Sequence, residues 1–161
     1  MHKIYYVPIG IVHSPFTNPE GTPIQSSSAR GTEAIIEIYK EYTEGLKDLD
    51  GFSHIYVLYH LHLSGKGSLS VIPFLDTKYH GVFATRSPQR PNPIGISVVE
   101  LLSINKNLLH VKNMDILDGT PLLDLKPYIP AFDVFATSKN GWVENNLPKL
   151  DAIKDDGRFK K

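Results

Sequence analysis

Apolar residues in this chain recur mostly at every second position and in short runs, a period that belongs to strands rather than helices. Tyr5, Val7, Ile9 and Ile11 alternate with other residues, and Ala34, Ile36 and Ile38 do so with Glu33 and Glu37 on the opposite face. Ser53 to Leu63 is an aromatic and β-branched run, Val82 to Thr85 is a short strand candidate, and Leu122 to Leu125 is another apolar segment. Ile94 to Ile104 and Leu108 to Met114 flank Asn105-Lys106-Asn107, a hairpin signal. One short helix is expected within Tyr39 to Leu49, weakened by Gly45 and ended before Gly51. Twelve prolines and twelve glycines punctuate the rest. Many short strands separated by such turns predict a mainly all-β protein, a small closed or nearly closed β-barrel with a short helix and long loops. Asn18 to Arg30 reads as one of those loops.

Composition narrows the classes. A chain of 161 residues fits one domain whose core needs no disulfide or metal to hold it. The absence of cysteine excludes a disulfide scaffold, a thiolate zinc site and a cysteine nucleophile. No apolar run approaches the roughly 20 residues of a membrane span. Met1 to Tyr6 lacks the apolar stretch and cleavage site of a signal peptide. A soluble cytoplasmic protein, with no membrane association, is the expectation. Lysine plus arginine equals aspartate plus glutamate, 17 each, so no global basic excess announces a nucleic-acid partner, although a local patch would not alter the sum. The tail from Lys154 to Lys161 is basic and reads either as a solvated terminus or as an RNA contact.

Nucleotide signatures are missing: there is no Gly-x-Gly-x-x-Gly after a strand and no Walker loop. Without alternating β and α segments, a doubly wound methyltransferase or dehydrogenase is not expected. Two blocks stand out instead. In Gly81 to Gly95, three prolines stiffen a loop carrying Arg86, Arg90 and Asn92. A stiff loop loses little entropy on binding, and its arginines can pair with a carboxylate or phosphate. In Asp115 to Tyr128, Asp118-Gly119-Thr120-Pro121 is a tight turn whose amides and carbonyls can read an adenine edge, and Asp124 and Lys126 can pair across one strand face. Each block fits a binding site or a purely structural turn. On a strand His54, His60 and His62 share one face, and the His60-x-His62 spacing suits two ligands of one metal. His54 lies too far along the strand to join easily and no carboxylate partner motif lies nearby, so a hydrogen-bonded histidine in a pocket wall is the expectation. No histidine adjoins Ser87 or Ser97, so a Ser-His-Asp hydrolase is not indicated.

In combination, the motifs resemble the TrmO, or TsaA-like, family. The resemblance rests on Ile9-Gly10-Ile11-Val12-His13-Ser14-Pro15-Phe16, Gly51-Phe52-Ser53-His54-Ile55, Ala84-Thr85-Arg86-Ser87, Arg90-Pro91-Asn92-Pro93-Ile94-Gly95, Leu117-Asp118-Gly119-Thr120-Pro121 and Asp124-Leu125-Lys126-Pro127-Tyr128, in that order. It implies a TsaA-like barrel over 1–135 and a C-terminal extension over 136–161 that packs on the barrel or on a partner subunit. It implies a homodimer that binds S-adenosyl-L-methionine and methylates N6 of threonylcarbamoyl-adenosine beside the anticodon of tRNA. Pro23, Ile24, Gln25, His62, Leu63, Arg86, Ile96, Leu117, Asp118, Gly119 and Thr120 match its cofactor-binding positions. Ile24 stands where the family usually has arginine, and Leu63 where it often has glutamine. Arg90, Asn92 and Tyr128 are the candidates for the acceptor side, through phosphate contact, hydrogen bonding and base stacking. The alternatives are methyl transfer to another small-molecule or RNA acceptor, a non-catalytic binder of the same cofactor, and a histidine-metal enzyme.

Overall fold

The computed structural model describes residues 2–160. Six strands close a barrel in the order β1-β2-β7-β6-β3-β8, with every neighbouring pair antiparallel. They are β1 (Gly10–His13), β2 (Glu33–Ile38), β3 (His54–His60), β6 (Ile94–Asn105), β7 (Leu108–Lys112) and β8 (Thr120–Pro127). Two short strands, β4 (Ser70–Val71) and β5 (His80–Gly81), pair outside the barrel. One helical turn, α1 (Pro130–Asp133), follows β8.

The period-two pattern does what it must in a barrel. Val12, Ile36, Ile38, Ile55, Val57, Val99, Leu109, Val111 and Leu122 point inward and are buried. Their neighbours in sequence face outward. The expected mainly β fold is therefore correct, and the hairpin at Asn105–Leu108 turns through Lys106 at positive φ. Asp124 and Lys126 pair at 2.7 Å on the outer surface.

Three expectations need correction. Tyr5 and Val7 are not in a strand. Ile9 is the last residue of that segment to be tied in, donating to Leu122 and accepting from Tyr39, and upstream of it no strand edge is in reach. Residues 4–7 lie exposed. Val82 to Ala84 is a 3-10 turn rather than a strand, closed by the Thr85 amide and hydroxyl on the Val82 carbonyl. The expected helix is two 3-10 segments, Lys40–Leu46 and Leu49–Gly51, divided by Asp48 in the left-handed region.

The segment after α1 runs back over the barrel. It bridges at Pro23↔Lys154 and Ser64↔Lys160, and it exchanges backbone hydrogen bonds between Asp155 and residues 21 and 22. Phe159 packs edge-on against Phe74 in a small second core with Val71 and Val82. Among the described residues, no helix is long and apolar enough to cross a membrane.

Candidate active site

Antiparallel pairing sets Val12 beside Thr120 and His60 beside Ile94, so β1 and β3 end where β6 and β8 begin. The connections 14–32, 61–93 and 113–119 all leave from that end. Between them lies a cleft of about 840 Å³, within the size range of small-molecule sites. The C-terminal segment supplies one wall through Trp142, Val143, Leu147 and Phe159.

Ten of the residues singled out from the sequence line this cleft: Pro23, Ile24, Gln25, His62, Leu63, Arg86, Arg90, Ile96, Leu117 and Thr120. They come from four separate stretches of chain, and only the fold brings them together. Arg86 donates from Nη1 to Oε1 of Gln25 at 2.7 Å, which ties the 61–93 loop to the 14–32 loop. Nδ1 of His62 lies 3.3 Å from Oγ1 of Thr120. Arg90 donates through Nη1 to the carbonyls of Thr85 (2.8 Å) and Val82 (3.2 Å), and its guanidinium sits over the Phe83 ring. It staples its own loop, so its remaining donors are the ones available to a ligand.

Four of the singled-out residues lie outside the cleft lining. Asp118 turns the other way: its Oδ1 accepts the Ser14 amide at 3.1 Å, and its side chain borders a shallow hollow with His13 and His110. Gly119 holds the turn at φ +73°, where a side chain would be strained. Asn92 is an exposed loop residue. Tyr128 makes edge contacts with Tyr56 and His54 on the outer face of β3. β3 ends at His60, and His62 lies beyond it in the lining of the cleft.

The floor of the cleft was not legible in the motifs. Asp115 follows β7 and accepts the Ser97 hydroxyl at 2.6 Å. Ser97 lies 3.2 Å from the Tyr59 hydroxyl. Because the Ser97 proton goes to the carboxylate, Tyr59 donates to Ser97 and the chain runs Tyr59 to Ser97 to Asp115. Gly95 makes this possible: a methyl group there would collide with the Tyr59 ring. Burial pushes the Asp115 carboxyl up to about 6, against the opposing hydrogen bonds from Ser97 and from its own backbone amide and the Arg86 charge. Burial, and then the Asp115 charge, push the Tyr59 phenol far above its ordinary range. No motif marks Trp142 as a site residue either. Its Nε1 donates to the Ala84 carbonyl at 2.7 Å, and its ring stacks on His80 at 4.6 Å.

Residues 11–134 match the family described as the tRNA-methyltransferase O N-terminal domain. The chain belongs to this TrmO family. A crystal structure of TrmO from Pseudomonas aeruginosa superposes with a TM-score of 0.74 at 34% identity, covering 88% of this chain and 63% of that one. A Pyrococcus abyssi relative named "Probable S-adenosyl-L-methionine-binding protein" is 53% identical over 97% of this chain and 85% of its own length. A Mus musculus tRNA (adenine(37)-N6)-methyltransferase is 36% identical over 90% of this chain, but the match spans only 35% of the mouse protein. The TrmO match stops at 134, so Trp142 and Phe159 belong to a wall of the cleft outside the matched region.

Proposed function

We propose that this chain binds S-adenosyl-L-methionine in the cleft and transfers its methyl group to N6 of threonylcarbamoyl-adenosine next to the anticodon of tRNA. The observation that carries the reading is the convergence of Gln25, His62, Arg86, Ile96, Leu117 and Thr120 on one cleft in a TrmO-family barrel. The residues suit such a cofactor. Arg86 has guanidinium donors left over from Gln25 to hold a carboxylate. Ile96 and Leu117 offer apolar walls.

The cofactor supplies an activated methyl group. The protein's part is alignment, since a nucleophile held in line with that methyl gains most of its advantage from position. An anticodon-loop base is already unpaired and reaches a cleft at modest expense. The mouse tRNA methyltransferase and the Pyrococcus relative support the two halves of the reading, the acceptor and the cofactor. A homodimer is part of the proposal: Ile94, Ile96 and Leu102 expose apolar surface along β6, and Ile96 belongs to both that surface and the cleft.

Calorimetry with S-adenosyl-L-methionine is the first test, with Arg86→Ala expected to weaken binding about 30-fold while the fold persists. Methyl transfer is then compared on tRNA with the threonylcarbamoyl group, on tRNA without it, and on metabolite extracts. Transfer confined to the modified tRNA supports the full reading. Binding without transfer to any of the three leaves a cofactor-binding protein and overturns the catalytic part.

A further inference from the structure

Asp115 lies at the cleft floor, where a hydroxyl and a backbone amide orient its carboxylate. Oδ1 takes the Ser97 hydroxyl, and the Asp115 amide donates to the same carboxylate. Among the described residues, no side-chain oxygen or nitrogen is both fully buried and without a partner. Each oxygen of the carboxylate is therefore either hydrogen-bonded or open to solvent, and Asp115 lines the cleft. The Tyr59–Ser97–Asp115 chain fixes the rotamer. Such a chain is expensive to maintain in a core and is not required for closing the barrel, which apolar residues do elsewhere.

Resting on the methyltransferase reading above, we propose that Asp115 is a catalytic residue whose carboxylate accepts the proton that the attacking amino nitrogen gives up. The nitrogen lone pair forms the new N–C bond, and the C–S bond breaks with its electrons passing to sulfur. The N–H pair returns to nitrogen as the proton passes to Asp115, which later releases it to solvent. Charge and atoms balance without another reactant. An acceptor nitrogen conjugated to a carbonyl, as in a carbamoyl group, is a poor nucleophile, so help with its proton matters more than for a simple amine. The groups that face the carboxylate suit the task. Ser97 from β6 and Tyr59 from β3 are neutral donors, and Arg86 from the 61–93 loop is the nearby cation. His62, Arg90, Asp155 and Lys160 line the same cleft further out. A carboxyl held near 6 is ionised at neutral pH yet basic enough to take a proton in passing.

The test uses the full chain with S-adenosyl-L-methionine and the modified tRNA, in single turnover across pH 5 to 9, beside calorimetry of cofactor binding and a carbon-13 titration of the Asp115 carboxyl. Wild type is expected to gain rate with pH through about 6, following the carboxyl titration. Asp115→Asn should lose about 100-fold in transfer and lose that pH limb, with cofactor affinity within about threefold of wild type. Ser97→Ala removes the hydrogen bond that favours the ionised form, so the limb and the resonance should both move up by about one unit. An Asp115→Asn protein that transfers methyl at the wild-type rate overturns the proposal alone. Parallel loss of cofactor affinity and transfer overturns it too, because the carboxylate then serves binding. Wild-type protein that binds the cofactor and methylates nothing removes the function reading, and this one with it.

Discussion

The two ends of the barrel are built from the same strands but finished in opposite ways. At one end, β6 and β7 join through a tight turn, and the β2–β3 connection folds inward so that Leu46 and Leu49 pack on the core beside Ile9, Ile104 and Leu125. At the other end the connections are long, and Tyr59, Ser97 and Asp115 form a polar floor under an open cleft. The apolar end is sealed mainly by burial, which is non-directional and tolerant, with Asn107 and Ile38 exchanging hydrogen bonds across it. The polar end holds a partly desolvated carboxylate that burial penalises, the kind of group that functional sites collect. The same barrel is thus closed by packing at one end and by a polar floor beneath an open cleft at the other.

The largest way to break this contrast is at Gly95. An alanine methyl would drive into the Tyr59 ring, which is buried and cannot swing aside. Gly95→Ala should destabilise by about 3 kcal/mol, the upper range for overpacking, and should also disturb the floor. Denaturant melts check the first effect. A loss below 1 kcal/mol would mean that the floor is more pliable than the close approach implies.

Asp115→Asn separates stability from chemistry by pH. In the folded chain this carboxyl is raised from its ordinary 3.8 to about 6, so the native state holds its proton longer than the unfolded one. Native stability therefore falls as pH rises from about 4 through 6, by up to about 3 kcal/mol. Asparagine carries no such penalty. The variant should be more stable than wild type at pH 8 by about 2–3 kcal/mol, and indistinguishable at pH 4. Urea melts at the two pH values decide it. Equal stability at both would show that the floor does not hold the carboxylate against solvation.

At the sealed end the effects are smaller and confined to stability. Leu49 is half-buried against the core, and Leu49→Ala should lose about 1–2 kcal/mol with cofactor affinity unchanged. A change in affinity would mean that the two ends communicate through the barrel.

How much of this was readable in advance follows the same divide. The strands were legible because inward positions such as Ile36, Ile38, Ile55 and Val57 follow the pleat with no exceptions to hide them. Where alternation misled, at Tyr5 and Val7, pattern was present but a partner strand was not, and pairing is a property of the whole sheet. Arg86, His62 and Thr120 were found through motifs, each carried by its own local stretch. Asp118 sits in such a motif too, yet its side chain turns outward to cap Ser14, since a motif specifies a turn and not the direction of every side chain in it. The floor was hidden for another reason. Tyr59, Ser97 and Asp115 lie on three elements with no fixed spacing, and only strand register brings them within hydrogen-bond reach.

The smallest effect is expected at the wall that the family match does not include. Trp142 binds the Ala84 carbonyl through Nε1 and stacks on His80, whose Nε2 lies 2.9 Å from Asp76. The ring is pinned from two sides, so the C-terminal segment closes the cleft as a fixed wall. Trp142→Phe keeps a ring for the stack but deletes the hydrogen bond, worth about 1 kcal/mol. If the wall bounds the ligand space, that loosening should appear as a faster cofactor off-rate, about two- to fivefold, with the melting temperature nearly unchanged. An unaltered off-rate with lower stability would make the segment a strap for the 61–93 loop alone, and would move the working boundary of the cleft back to the barrel's own loops.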